Sequence, residues 1–502
     1  MTFTFNVIFK LKNLIITALL FLILSVNIYA QITNINISIA DQQAGATTSY
    51  TITFTTSSTL PADGRIVFSF PSGFDVSSAR VVSSDIDGTF TESNTGTDLI
   101  IQRNGDGTNT APGQLSIQLD PITNATSAVV YNLNMDTRIV TNTIIETGSG
   151  SFEILFEDQV TSFTIVCNTT QTAGTAFSIQ VQDAADRYGN HWSGNGWVYV
   201  ASGGGDSPDG YSPELNTISV HNGDGQADQT LYNAQPTVIE LSVGHLEQQT
   251  GTITVLPGTI GRFIISNEPG SVTAGSTFPS SVTVTAYDQY GNVKSDYSGN
   301  VVWSSTDSDP YPAQVPVDDG TGWSSGVKDF AGSGFILYNG PSQTLTVTDQ
   351  SVSSATGTSS AITVTSHPDI ASYDLSVPTG INQTAGVAFP LQVSNILDQY
   401  GNSWTGSKSI TVAVFSGGGD SPDGHSPVLN SINVTTNSGS SDQILVNSVP
   451  TVLSTSVDGV ERVTSPIVVG PGFIDDFVIS ASSPQTAGAT FSLSVSSAVD
   501  TM

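Results

Sequence analysis

Basic residues and cysteine are scarce in this sequence, and apolar runs long enough to cross a bilayer are missing after the first thirty residues. A single cysteine, Cys167, stands in 502 residues. That excludes an intrachain disulfide framework, so any folded module must hold together by core packing. Cys167 sits in the apolar stretch Phe163-Thr-Ile-Val-Cys167, where a small buried hydrophobe is expected rather than a reactive thiol. Lysine and arginine number 12 against 43 aspartates and glutamates, for a net charge of −31. A polyanion of this kind does not bind nucleic acid or anionic membranes by bulk charge. Charged residues make up only 11% of the chain, well below the ~25% of an ordinary soluble domain. The scarcity of Lys, Arg, Glu and Met removes the good helix formers.

What fills the gap is Thr, Val and Ile, which favour strands, and Gly, Asn, Ser and Pro, which favour turns. The composition reads all-β. The exception is the N-terminus. Lys10 and Lys12 precede an apolar run from Leu14 to Val26, and Ile28-Tyr29-Ala30 ends on a small residue. Residues 1–30 are therefore expected to be a secretory signal peptide, cleaved near Ala30. No cysteine follows the run, so no lipid anchor is indicated. The mature chain is expected outside the cell or on its surface, with no membrane span.

Repeats organise the rest. Thr172-Ala173-Gly174 recurs as Thr273-Ala274-Gly275, Thr384-Ala385-Gly386 and Thr486-Ala487-Gly488. An aromatic residue opens a short alternating strand before each glycine: Phe163, Phe263, Tyr373 and Phe477. After it come Asp186-Arg-Tyr188-Gly189-Asn190, Asp288-Gln-Tyr290-Gly291-Asn292 and Asp398-Gln-Tyr400-Gly401-Asn402. The period of about 100 residues is the size of one immunoglobulin-type sandwich. In each Asp-x-Tyr-Gly-Asn, the aspartate can accept from backbone amides further on, and Gly and Asn tolerate positive φ. The motif reads as a structural turn, its tyrosine laid against the edge of its own sandwich.

These residues, in this order, resemble the bacterial Ig-like domains of the invasin/intimin type. The resemblance covers about residues 160–502. In the second repeat it extends to Tyr297-Ser-Gly-Asn-Val301, Thr344-Leu-Thr-Val-Thr-Asp349 and Ala361-Ile-Thr-Val364. It implies tandem immunoglobulin-like β-sandwich modules in an extended array. It also implies a non-catalytic adhesin, stalk or spacer in bacterial surface attachment, an elongated monomer with an extracellular protein or carbohydrate ligand. The membrane barrel that would usually precede such repeats in an invasin-type adhesin is not seen, since no segment shows an apolar band with aromatic girdles. An alternative is the non-catalytic N-terminal part of a larger secreted polysaccharide-degrading enzyme, with accessory carbohydrate-binding modules.

The expected divisions are 31–158, an N-terminal β-sandwich of another type, then Ig-like repeats at 159–260, 261–369 and 370–474. Residues 475–502 would begin a fourth. Repeats one and three match without a gap at an offset of 214, and Ser202–Pro213 recurs as Ser416–Pro427 with only Tyr211 changed, to His425. The second repeat lacks these pieces. In the N-terminal unit, Asp85-Ile-Asp-Gly88 and Asn104-Gly-Asp-Gly107 read as hairpin loops. In repeats one and three the motif aspartate follows the Thr-Ala-Gly glycine by twelve residues. The same count from Gly488 reaches Asp500, with Met502 where the tyrosine should stand. Two strands leave a sandwich half built, so the reading frame is expected to continue.

Candidate chemistry is thin. Gly322-Trp-Ser324-Ser-Gly326 matches a nucleophile-elbow pattern, but that elbow needs a strand–turn–helix, and no helical segment follows. His191, His221, His245, His367 and His425 form no metal spacing. No carboxylate pair points to glycoside hydrolysis. No catalytic residue is assigned. The remaining candidate is weak: Asp206-Ser-Pro-Asp209-Gly210 and its copy Asp420-Ser-Pro-Asp423-Gly424 offer carboxylates and carbonyls that suit Ca²⁺, against a reading as successive β-turns. Ca²⁺ is the one cofactor candidate. Trp192, Trp197, Trp303, Trp323 and Trp404 raise sugar stacking against core or edge packing.

Overall fold

The computed structural model describes residues 29–502. The leader reading of residues 1–30 lies almost wholly outside them. Among the described residues there is no α-helix, only a 3₁₀ turn at Gly332–Gly334, and the rest of the regular structure is strand. The protein is an all-β array of sandwich modules. It falls into two compact units. One runs to Asp206 and takes in Ser212–Leu256; the other holds Ser207–Tyr211 and Pro257–Met502.

The first unit opens with a two-sheet sandwich. Thr47–Thr56 alternates buried and half-buried residues along its length, the period of a strand with one face in a core. It runs antiparallel to Gly113–Thr123, so that Tyr50 faces Leu119, Ile52 faces Ile117 and Phe54 faces Leu115. The opposing sheet supplies Ile66, Phe68, Leu99, Ile101 and Leu133 to the same core. Tyr50, Phe70, Phe74 and Phe152 meet edge-on or tilted at 5.6–6.0 Å.

Two loops expected as hairpins are not hairpins. Arg80–Ser84 pairs in one sheet and Phe90–Thr95 in the other, and the same holds for Asp98–Arg103 and Gly113–Thr123. Both loops therefore cross between sheets. They are tied to each other: the Thr89 amide donates to Asp106 at 2.8 Å and the Thr108 amide to Asp87 at 3.0 Å. The buried Arg103 guanidinium donates to the carbonyls of Leu60, Pro61, Asp87 and Thr108. Desolvation would make a buried cation costly, and these four acceptors offset it.

The second sandwich of this unit has its own core, including Phe163, Ile179, Val181, Ile218, Ile239 and Leu241. Phe177–Ala185 pairs with Ser162–Val166 and Asp224–Gln229, while Gly194–Ser202 pairs with Ile218–His221 and Val238–Val243. Cys167 is half-buried, not buried, just beyond the strand Ser162–Val166. Burial still pushes its thiol pKa up, which keeps it out of the thiolate form.

In the second unit, residues 263–364 share one core and residues 370–469 another. The last of these modules repeats the pairing of the second sandwich. Ser407–Ser416 takes Ile432–Thr435 and Val452–Val457 as Gly194–Ser202 takes Ile218–His221 and Val238–Val243. Ile474–Ala481 and Leu493–Asp500 follow as an antiparallel hairpin with exposed side chains.

Candidate functional site

The constellation that recurs in this protein is a joint between consecutive modules, made from the two motifs. Asp186 begins it in the first unit. This aspartate is only 3% exposed. One carboxylate oxygen accepts from the amides of Tyr188 and Asn190, both at 2.9 Å. The other accepts from the Glu157 amide at 3.1 Å and from Asn190 Nδ2 at 2.9 Å. Burial alone would raise its pKa, but the hydrogen bonds from Asn190, Glu157 and Tyr188 outweigh it and hold the carboxyl below its ordinary range. Glu157 lies just before Ser162–Val166, so the aspartate ties the entry of the module to its turn.

The turn then reaches out of its module. Asn190 Nδ2 donates to the Thr126 carbonyl at 2.7 Å, and Asn190 Oδ1 accepts from the Ala128 amide at 2.8 Å. With one N–H held by Asp186, the amide is left with one donor and one acceptor, as a peptide group has. Asn190 therefore adds one rung to the backbone of the preceding sandwich. Tyr188 packs against that sandwich's core. Its hydroxyl lies over Gly45: a Cβ there would stand 2.1 Å from Tyr188 Oη. Gly45 also has φ +70°, so glycine is required twice, for conformation and for space. The expectation that the tyrosine lies on the edge of its own sandwich is thus corrected. The turn chemistry of the aspartate is local, while the tyrosine and asparagine serve the neighbour.

The second unit repeats the arrangement. Asp398 accepts from the amides of Tyr400, Asn402 and His367 at 2.7–2.9 Å and from Asn402 Nδ2 at 2.9 Å. Asn402 Nδ2 donates to the Tyr338 carbonyl at 2.8 Å and its Oδ1 accepts from the Gly340 amide at 2.7 Å. Acceptor and donor are again two residues apart. Tyr400 lies among Tyr338, Tyr311 and His367, with ring centroids at 5.0, 5.3 and 6.1 Å. Its hydroxyl covers Gly275, at φ +77°, where a Cβ would again stand 2.1 Å away. The same geometry begins once more at Asp500. Its carboxylate accepts from the amides of Gly472 and Met502, and the Met502 side chain lies over Gly386. Asp288 shares the local part: it accepts from the amides of Tyr290, Asn292 and Gly258.

The other candidates are scattered. Ser324 sits in a tight turn that bridges to Val327, with no helix behind it. Trp192, Trp303 and Trp404 are buried, and Trp323 packs against Phe263 and Tyr297. Trp197 is exposed. In the Asp-Ser-Pro-Asp-Gly loops, buried Ser207 and Ser421 close the turn: each accepts at Oγ from the amide four residues on, at 3.1 Å. The carbonyls of Asp206 and Asp420 accept from Asn233 and Asn447. Asp209 is engaged at both oxygens by Arg262, at 2.6 and 3.0 Å, which holds its carboxyl below the usual range. Its copy Asp423 is exposed. Among the described residues no group of three or more His, Cys, Asp or Glu is gathered as a metal site requires.

Sequence reasoning found both motifs but not their partnership. The three repeats each carry both, yet Gly45 works with Tyr188 of the following module and Gly275 with Tyr400 of the following module. The signal was in the first module, which has Ala44-Gly45 and no Asp-x-Tyr-Gly-Asn.

No family model matches this chain, and no curated protein matches it. Several solved structures are similar in part. Invasin, a bacterial integrin-binding protein, is 15% identical over 67% of this chain and 68% of its own, with a TM-score of 0.31. Domains 1–6 of the surface layer protein SbsC are 15% identical over 89% of this chain, with a TM-score of 0.27; the match spans 56% of that chain. The bacterial hydrophobin BslA is 16% identical over 26% of this chain and 99% of its own, with a TM-score of 0.19. Scores this low are no measure of kinship.

Proposed function

We propose that this chain is a non-catalytic extracellular or cell-surface protein, whose tandem modules serve as an adhesin, stalk or spacer in bacterial surface attachment. The observation that carries this reading is the repeated joint. In each unit a tyrosine and an asparagine of one module are committed to the backbone of the module before it. A protein that spends its most regularly repeated residues on fixing neighbours has intermodule orientation as a working property. Inter-domain contacts are otherwise expected to be mobile. The acidic surface, the lone half-buried thiol and the expected leader suit an extracellular location.

The test is on cells. Antibody raised against residues 31–502 should label intact bacteria or their medium, and deletion of the gene should reduce attachment while growth is unchanged. Restoration by the wild-type chain but not by a Tyr188→Ala/Tyr400→Ala chain would tie attachment to the joints. Protein found only inside the cell, or attachment untouched by deletion, would overturn the reading.

A further inference from the structure

A second surface, on residues that take no part in the joints, leaves large aromatic side chains in water. Trp197 and Tyr199 are 54% and 50% exposed on the strand Gly194–Ser202. Residues two apart on a strand share a face and lie ~6.7 Å apart along it, so the two rings form one platform. The register places polar groups beside it. Trp197 faces Ser242, which faces Glu247; Tyr199 faces Glu240, which faces Gln249. Gln249 Nε2 donates to Glu240 at 2.9 Å. At the Trp197 end, a pocket of about 290 Å³ is lined by Asp158, Asn195, Trp197, Ser242 and His245 among others.

The chain contains its own control. The third repeat has the same fold and register, with Thr411 facing Ser456 and Ala413 facing Ser454. At the positions of Trp197 and Tyr199 it thus has threonine and alanine. Where the first repeat has Glu240 and Gln249, it has Ser454 and Val463; at His245 it has Gly459. The module folds without the platform. The third repeat exposes a single ring on this strand instead, Phe415 at the position of Ala201, so the paired rings of Trp197 and Tyr199 are not needed for the fold.

We infer that this face binds a neutral polysaccharide, sugar rings stacking on Trp197 and Tyr199. The chemistry of the face selects that class. Glu240, Glu247 and Asp158 repel uronates, sulfated glycans and other polyanions, and no Lys or Arg stands among the platform residues. The polar groups are mixed. The amides of Asn195 and Gln249 and the Trp197 indole N–H offer donors; the carboxylates offer acceptors. A hydroxyl is donor and acceptor at once and matches both. The Lys and Arg head groups of a cationic peptide bring donors only, and leave the indole and amide N–H groups to whatever backbone carbonyls can reach them.

The probes are soluble β-glucan, xylan, mannan and glycol chitin, with alginate as polyanion and polylysine as polycation. The protein is the chain 31–502. Trp197 is the most exposed of the five tryptophans, so its emission should shift to the blue when a sugar covers it. At least one neutral polysaccharide should bind, with an affinity that holds from low to high salt. The Trp197→Thr/Tyr199→Ala variant copies the third repeat and should keep the wild-type melting point, yet bind at least about tenfold more weakly. Failure of all four neutral polymers to bind, equal binding by the variant, or binding only to alginate or polylysine would overturn the inference. The joint variants should bind as wild type does, so loss of the stalk reading and loss of this site are separable.

Discussion

Replacing Asp186 by alanine should loosen the first joint and the module entry together. The carboxylate accepts four hydrogen bonds, from the amides of Tyr188, Asn190 and Glu157 and from Asn190 Nδ2, and is nearly buried. Each bond to a charged acceptor is worth about 1.5–3 kcal/mol, and a buried donor left without a partner costs about 1–3 kcal/mol. The four do not add, because Asn190 contributes two of them and can turn to water. A net loss of about 3 kcal/mol is the reasonable centre. In a cooperative unit of roughly 200 residues, each kcal/mol moves the melting point by about 2–4 °C. The first unit should therefore melt about 6–12 °C lower, while the second unit is unchanged. Differential scanning calorimetry of the chain 31–502 resolves this if the two units melt separately, and a fluorescent probe in each unit resolves it otherwise. A shift below about 2 °C would refute the reasoning, since it would mean the four donors lose nothing by being orphaned.

Three further outcomes follow from the same geometry. Gly275→Ala should destabilise the second unit by about 2 kcal/mol, through positive φ and the Tyr400 hydroxyl; adding Tyr400→Ala should cost less than the sum of the two single changes, as a double-mutant cycle would report. The stability of the first unit should fall in acid. The folded Asp186 pKa lies below its unfolded value of about 3.9, so its contribution is complete above that pH and is lost as pH drops through the folded value; Asp186→Ala should flatten this part of the pH–stability curve measured by urea unfolding. Cys167, with its pKa raised by burial, should react with iodoacetamide at pH 8 more slowly than a free thiol does, and at the free rate once the chain is unfolded in urea.

The all-β fold was legible because its signals are local. Alternation such as Tyr50-Thr-Ile-Thr-Phe54 places one face in a core whatever the partner strand is. The copy at an offset of 214 was legible too, and the strand pairings of the two copies agree. The crossover loops at Asp87 and Asp106 were not, because a loop between strands of different sheets has the same turn residues as one between neighbours. Tyr188 and Tyr400 were misplaced for a related reason. A sequence motif shows which residues travel together, not which side of a module boundary they serve. Gly45 and Gly275 are bound to tyrosines more than a hundred residues further on, and no local pattern carries that distance. The same limit hid the platform. Trp197 looks like any strand tryptophan until its register with Ser242 and the Thr411 of its copy are seen together.

The most direct test of the joint is hydrogen exchange resolved to single amides at Ala128 and Gly340. Each of these amides donates to an asparagine side chain of the following module, Asn190 or Asn402. Both should exchange slowly in the wild-type chain, and each should lose its protection when its own asparagine is changed to alanine, the other remaining slow. Fast exchange at both amides in the wild type, or protection that survives Asn190→Ala and Asn402→Ala, would contradict a joint built from these residues.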